Sequence, residues 1–189
     1  MTTVETRAPV RRHFTVDEYH RLGDVGIFAN ERVELIEGEI FAMSPIGELH
    51  AGGVNRANRL FNRRFGEVAL IAIQNPIALG DESEPQPDVA VLRFREDFYR
   101  SGHPTAADVL LLLEVSDKTL RFDLEDKARL YARFGIPEYW VEDVNTATLI
   151  VHREPSPGGY RSVRALGREE RVRPVSFPDQ EIALDTLLA

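Results

Sequence analysis

VLLLLEVSDKTLRFDLEDKARLYARFGIPEYWVE, residues 109–142, reads as strand, helix, strand, and that order decides the fold class. Val109 to Val115 is apolar throughout except at Glu114, the pattern of a central strand covered on both faces. Helical spacing begins at Asp123, a predicted N-cap, and carries to Phe134, where Gly135-Ile136-Pro137 stops it. Glu138 to Glu142 is again strand-like. Strand, helix, strand in succession makes a crossover, so 109–115 and 138–142 are expected to lie parallel in one sheet. Thr148 to His152 is expected to return antiparallel across a turn at Asp143 to Asn145.

The flanking chain adds antiparallel pieces and one long helix. Val89 to Phe94 is expected beside the Leu110 strand, joined to it by the loop from Arg95 to Asp108, with Val68 to Ile73 and Pro76 to Leu79 as further strands. Arg32 to Ile36 and Glu39 to Met43 form a predicted hairpin around Glu37-Gly38, where glycine can take a positive φ. Thr15 and Glu18 have the spacing of a capping box, with Phe14 and Tyr19 as a hydrophobic staple, so a short helix is predicted from Val16 to about Leu22. Glu48 to Phe65 is helical by period: His50, Val54, Ala57, Phe61 and Phe65 share one face, and Arg56, Arg59 and Arg63 line another. That basic row is either a solvated face or a surface for phosphates. Residues 1–13 are polar and expected to fray. Tyr160 to Ala165 and Glu181 to Leu184 are expected as a peripheral antiparallel extension. The class is α/β: a mixed sheet flanked by helices, with hairpins at both ends.

At 189 residues the chain is sized for one domain, over 14–189 beyond the frayed arm. It has no cysteine, which excludes disulfides, a thiolate nucleophile and Cys-ligated metal, and suits a reducing compartment. Any metal must sit on Asp, Glu or His. No stretch approaches the roughly 18 apolar residues of a membrane span, so a cytoplasmic protein is expected. The net charge of -8 argues against a nonspecific nucleic-acid coat protein but leaves room for a locally basic face around an acidic metal site.

Glu114 is the chemical oddity. A carboxylate in a doubly covered strand costs several kcal/mol unless it is paired or metal-bound. A structural ion pair would satisfy it. So would a cation shared with a second acid, and Asp88 is that acid: a register pairing 92 with 110 and 90 with 112 places 88 opposite 114 on the same face. Two carboxylates so close repel unless a proton or cation lies between them, and Mg²⁺ accepts such a pair while keeping waters and phosphate oxygens as its other ligands. On the following helix Leu124, Lys127, Ala128, Tyr131 and Phe134 share a stripe, so Lys127 is turned inward. An inward lysine often snorkels. Beside two acids it can also orient water and stabilise a phosphorane-like transition state.

Several blocks now carry a resemblance: Leu113-Glu114-Val115-Ser116-Asp117-Lys118-Thr119, Arg121-Phe122-Asp123, Lys127, Tyr131-Ala132-Arg133 and Gly135-Ile136-Pro137-Glu138-Tyr139-Trp140-Val141, with Gln74-Asn75-Pro76, Ser83 to Asp88, Ser44-Pro45 with His50, and Glu34 to Glu39 upstream. In this order, over roughly residues 14–155, they resemble the bacterial "putative restriction endonuclease" family of the PD-(D/E)XK nuclease superfamily. The resemblance implies a restriction-endonuclease-like core and metal-dependent hydrolysis of nucleic-acid phosphodiesters. It places the superfamily's two acids on Asp88 and Glu114. The usual lysine position holds Ser116, so the amine is expected from Lys127, with Lys118 as the alternative. The upstream acid falls on Glu34 rather than Glu37, and His50 and Gln74 take supporting places near substrate.

The expectation is therefore an endonuclease dependent on Mg²⁺ or Mn²⁺ and acting on DNA. Asp88, Glu114 and the Val115 carbonyl would hold the ion, Glu34 would assist, Lys127 would position water, and Arg56, Arg59 and Arg63 would face the phosphates. Double-strand cleavage would favour a homodimer. Two other classes stay open: a non-catalytic nucleic-acid- or protein-binding module on the same fold, and a hydrolase of small phosphoesters.

Overall fold

The structure, a computed structural model, describes residues 10–188. Most of the predicted frayed arm, residues 1–9, lies outside the described residues. A six-stranded sheet runs in the order β3-β4-β5-β6-β7-β8. Its strands are β3 (Ala69–Ile73), β4 (Val89–Arg93), β5 (Val109–Ser116), β6 (Glu138–Asp143), β7 (Thr148–Ser156) and β8 (Gly159–Gly167). β5 and β6 are parallel, with Glu114 opposite Val141, and every other neighbouring pair is antiparallel.

The apolar run of β5 is explained by what covers it. Leu111, Leu113 and Val115 join Val89 and Val91 under α2 (Glu48–Phe65), whose Phe61 and Phe65 are fully buried beside Trp140 and Phe177. Leu112 joins Ala90, Leu92 and Tyr139 under a helical segment spanning 120–133, labelled α3, which contributes Leu130 and Tyr131. Both faces are covered, Leu110 alone in the run being half-buried, and each large side chain fully buried there contributes about 1.5–3 kcal/mol.

One further α-helix and two small two-stranded sheets complete the fold. The capping box is formed: Thr15 and Glu18 exchange side-chain and backbone bonds at the start of α1 (Val16–Asp24). β1 (Val33–Ile36) and β2 (Glu39–Ala42) pair antiparallel across Glu37-Gly38. Both turn residues have positive φ, 50° and 76°, the backbone of a tight turn matched to strand twist. A Cβ on Gly38 would also strike the His13 side chain. Gly38→Ala is therefore expected to destabilise by about 1–3 kcal/mol, read as a lower urea midpoint at unchanged slope.

Four local expectations need correction. Pro76 to Leu79 makes only one bridge, Ala78 with Thr105, because its amides go to loop carbonyls instead: Ile77 to Pro85, Ala78 to Pro104 and Leu79 to Ser83. A bulge between Val91 and Leu92 pairs Leu92 with Val109 rather than Leu110, while Ala90 still faces Leu112. α3 begins at Leu120, and Asp123 is not its N-cap; residues Leu120–Phe122 and Ala128–Arg133 are α-helical and Asp123–Lys127 between them is a π-helical turn. The C-terminal extension is antiparallel as expected, but its end is not peripheral. β8 is the sixth strand of the sheet, and beyond the short pair β9 (Arg171–Val172) and β10 (Ile182–Ala183), Leu184, Leu187 and Leu188 enter the core under α2. Among the described residues, no helix is long and apolar enough to cross a membrane.

Candidate active site

Where β4 begins and β5 nears its end, side chains replace the missing ladder bonds. The Asp88 amide donates to Glu114 Oε2 at 3.1 Å, and the Val115 amide donates to Asp88 Oδ2 at 2.9 Å. Each acid thus satisfies the other strand's backbone, which holds both carboxyl groups at the same end of the hairpin despite the bulge further along.

Lys127 comes to Glu114 from α3. Its Nζ lies 2.9 Å from Glu114 Oε1 and 3.1 Å from Glu34 Oε1, and all three side chains are 5% exposed. Glu34 belongs to β1, and its Oε2 accepts the Gln86 amide at 3.1 Å, so the small hairpin is tied to the segment that leads into Asp88. Tyr131 donates to Glu114 Oε1 at 3.2 Å. The π turn has a structural cause at each end. Asp123 is held by the hydroxyls of Ser116 and Thr119, and Lys127 is held by two carboxylates; the widened turn lets one helix meet both demands.

His50, on the first turn of α2, closes the opposite side. Its Nδ1 lies 2.7 Å from the Val115 carbonyl, and its Nε2 lies 3.0 Å from Asp88 Oδ1. The second approach is close but badly angled, and Nε2 has no hydrogen-bond partner. Gln74, in the left-handed region at φ 52°, donates from Nε2 to Asp88 Oδ1 at 3.0 Å. Glu34, His50, Gln74, Asp88, Glu114, Lys118 and Lys127 line a cavity of about 260 Å³. Arg56, Arg59 and Arg63 do not line it. Arg56 donates to the Leu187 carbonyl and secures the C-terminus, whereas Arg59 and Arg63 are exposed.

The charges interact strongly. Burial pushes the Glu114 carboxyl well up, and the Lys127 ammonium only partly offsets it. Burial would lower Lys127, but Glu114, Glu34 and Asp123 outweigh it and hold the ammonium above its usual value. For Asp88 burial acts upward and is outweighed by His50, the Val115 amide and Gln74, so the carboxyl sits below its usual 3.8. A lowered carboxyl stabilises the fold above its unfolded value and loses that contribution as pH falls through the native one. Asp88→Asn is accordingly expected to flatten the acid limb of the stability profile, as followed by thermal unfolding from neutral pH downward.

Asp123 is the residue that sequence reasoning missed. It was read as a cap, yet it lines the cavity, and burial raises its carboxyl. Its position in the Arg121-Phe122-Asp123 block was the available signal. Tyr131 was legible as an apolar stripe position and as part of the Tyr131-Ala132-Arg133 block, neither of which indicates a hydrogen bond to Glu114.

Among the described residues, no three acidic or imidazole side chains already converge as a metal cage. The donor chemistry nevertheless fits a divalent cation: buried carboxylates on Asp88 and Glu114 border the cavity, and the orphaned His50 nitrogen stands against Asp88.

Comparisons with known proteins agree on family and fold. The sequence model of the Uma2 family, described as "Putative restriction endonuclease", matches residues 16–185. No curated protein matches. Among crystal structures, one titled as a "putative nuclease belonging to DUF820", from Anabaena variabilis, is similar with a TM-score of 0.69. The match covers 92% of this chain and 97% of that one at 18% identity, a likeness of fold alone. The mixed sheet, flanking helices and terminal hairpins are those of a restriction-endonuclease-like core.

Proposed function

The chain belongs to the Uma2 family, and from that premise we propose that it is a metal-dependent endonuclease hydrolysing DNA phosphodiester bonds. The observation that carries the reading is the Lys127 ammonium gripped between Glu114 and Glu34 at the wall of the cavity that Asp88 also faces. Its raised pKa makes Lys127 a permanent cation at neutral pH, unsuited to be a general base. It is suited to orient the attacking water and to meet charge developing on the phosphate. Asp88 and Glu114 are the carboxylates that would hold Mg²⁺ or Mn²⁺. Glu34 keeps Lys127 aimed. Asp123 positions the loop from Ser116 to Thr119 at the cavity mouth. A bound divalent ion would supply a water of lowered pKa and neutralise charge on the scissile phosphate. Cutting both strands would bring two copies of the chain to one duplex.

One feature favours a second reading, a non-catalytic binding module: Glu114 is already paired with Lys127, and Asp88 already accepts from Gln74 with His50 Nε2 at 3.0 Å. Exposed Arg59 and Arg63 would then carry nucleic-acid affinity. Supercoiled plasmid, RNA and a small phosphodiester, each incubated with Mg²⁺, Mn²⁺ or EDTA, separate the possibilities. Plasmid nicking that needs metal and stops with EDTA is the expected result. Hydrolysis of the small ester alone, or no cleavage with measurable DNA binding, would replace the endonuclease reading.

A further inference from the structure

His50 Nε2 is buried and unpartnered although a carboxylate oxygen stands 3.0 Å away. The other ring nitrogen explains why this matters. Nδ1 faces the Val115 carbonyl at 2.7 Å, and a carbonyl only accepts, so Nδ1 carries the hydrogen. In the neutral ring, Nε2 then turns a lone pair toward Asp88 Oδ1, itself an acceptor. Two acceptors held so close need a cation beside them, either a proton on the line between them or a metal ion off it. The contact meets the distance of an ion pair but not the geometry of a hydrogen bond at Nε2. Two adjacent ligands of an octahedral ion with bonds of about 2.1 Å stand about 3 Å apart, with their lone pairs converging to one side.

Helix packing holds the imidazole in this place. His50 heads the buried stripe of α2, and α2 approaches β5 so closely at Gly53 that a Cβ there would lie 2.6 Å from Val115 Cγ1. That approach lets Nδ1 reach the Val115 carbonyl. A ring nitrogen donated to a backbone carbonyl is the usual means of orienting a metal-ligating histidine.

We propose that His50 is a nitrogen ligand of the divalent ion, shared with Asp88 and Glu114, and that it makes this site favour Mn²⁺ over Mg²⁺. The proposal rests on the metal-dependent reading of the same site and changes one of its expected ligands. Nδ1 and Nε2 leave the ring in nearly opposite directions, so an ion on Nε2 is out of reach of the oxygen that binds the Nδ1 hydrogen. Val115 is therefore an orienting residue for His50, not a metal ligand. Mg²⁺ prefers oxygen donors and keeps its waters, whereas Mn²⁺ lies further along the divalent series and accepts imidazole beside carboxylates.

The test uses the full chain and reads binding rather than turnover. Mn²⁺ and Mg²⁺ affinities are measured by calorimetry, and nitrogen coupling to bound Mn²⁺ by pulsed electron paramagnetic resonance, for wild type, His50→Ala, His50→Gln and Asp88→Ala. Wild type is expected to bind Mn²⁺ at least about tenfold more tightly than Mg²⁺ and to show coupling from a directly bound imidazole nitrogen. His50→Ala and His50→Gln are expected to lose that coupling and roughly tenfold or more in Mn²⁺ affinity, with little change for Mg²⁺. The Gln variant fills the site if the smaller one fails to fold, and added imidazole is expected to restore the coupling to His50→Ala. If Mn²⁺ binds wild type and is lost in Asp88→Ala, but no nitrogen coupling appears or it survives in His50→Gln, the His50 assignment is overturned and the endonuclease reading stands. If wild type binds neither ion, the metal-dependent reading fails first and takes this one with it.

Discussion

Lys127→Met is expected to lower the stability of the fold by about 3–5 kcal/mol, the cost of removing one partner from a buried ion pair. Methionine has nearly the right length and fills the space, so the loss would come from charge rather than from a cavity. Without the ammonium, Glu34 and Glu114 face each other in a dry site, and one of them must take a proton. The pH dependence identifies the cause. A lysine whose native pKa is raised stabilises the fold below its unfolded value, about 10.4, and loses that contribution as pH rises through the native value. Wild type should therefore weaken at the alkaline end, and Lys127→Met should lack that limb and recover stability on mild acidification as its stranded carboxylates protonate. Urea unfolding of both proteins across pH reads this. Adding Glu34→Gln to Lys127→Met should return part of the loss, with a coupling of about 0.5–3 kcal/mol in the double-mutant cycle. Equal losses at every pH and no recovery in the double variant would show that Lys127 acts by packing alone.

Glu114→Gln is expected to lower DNA cleavage by about 10³-fold or more, equivalent to about 4 kcal/mol of transition-state stabilisation. Its effect on stability should be smaller than that of Lys127→Met. The buried carboxylate is costly in its charged form, as its upward-shifted pKa records, and a neutral amide removes that cost. The amide oxygen can still accept from Lys127 and Tyr131, and Lys127 keeps Glu34 as a counter-ion. What is lost is an acceptor for the Asp88 amide, worth about 0.5–1.5 kcal/mol. Initial rates on supercoiled plasmid at saturating Mn²⁺, measured beside urea unfolding, compare the two effects. A Glu114→Gln protein that unfolds like wild type and still cuts would remove this carboxylate from the reaction.

The parts of the fold that were legible in sequence are those set by neighbours in the chain. The run from Val109 to Val115 announced a strand buried on both sides, the three- and four-residue spacing from Glu48 to Phe65 matched α2 at both ends, and Thr15 with Glu18 formed the capping box that their spacing predicts. Asp88 and Glu114 do meet at the end of the hairpin, one residue beyond the paired Val89 and Leu113, even though the assumed pairing of 92 with 110 does not form. The bulge lies beyond Val91, and period-two alternation from Ala90 and Leu112 toward the site is untouched by it.

Three features resisted because nothing local encodes them. The weak strands after Gly158 gave no sign that their residues would complete the sheet and bury Leu184, Leu187 and Leu188, since that depends on an apolar surface left open by α2. Asp123 satisfies the spacing of an N-cap, and only the hydroxyls of Ser116 and Thr119 draw it into the helix instead. The expectation of an inward Lys127 rested on an ordinary helical stripe, whereas its site is reached through a π turn.

By itself, then, the order of residues determined most of the elements that form, that one crossover lies parallel, and that Asp88, Glu114 and Lys127 share one end of the sheet, because hydrophobic period and capping act over a few residues of chain. Only the tertiary structure decided how those charges are answered: Lys127 between Glu34 and Glu114, His50 and Gln74 on Asp88. The reason is physical. Neutralising a buried charge depends on groups brought within about 3 Å from distant parts of the chain, and neither hydropathy nor spacing records that distance.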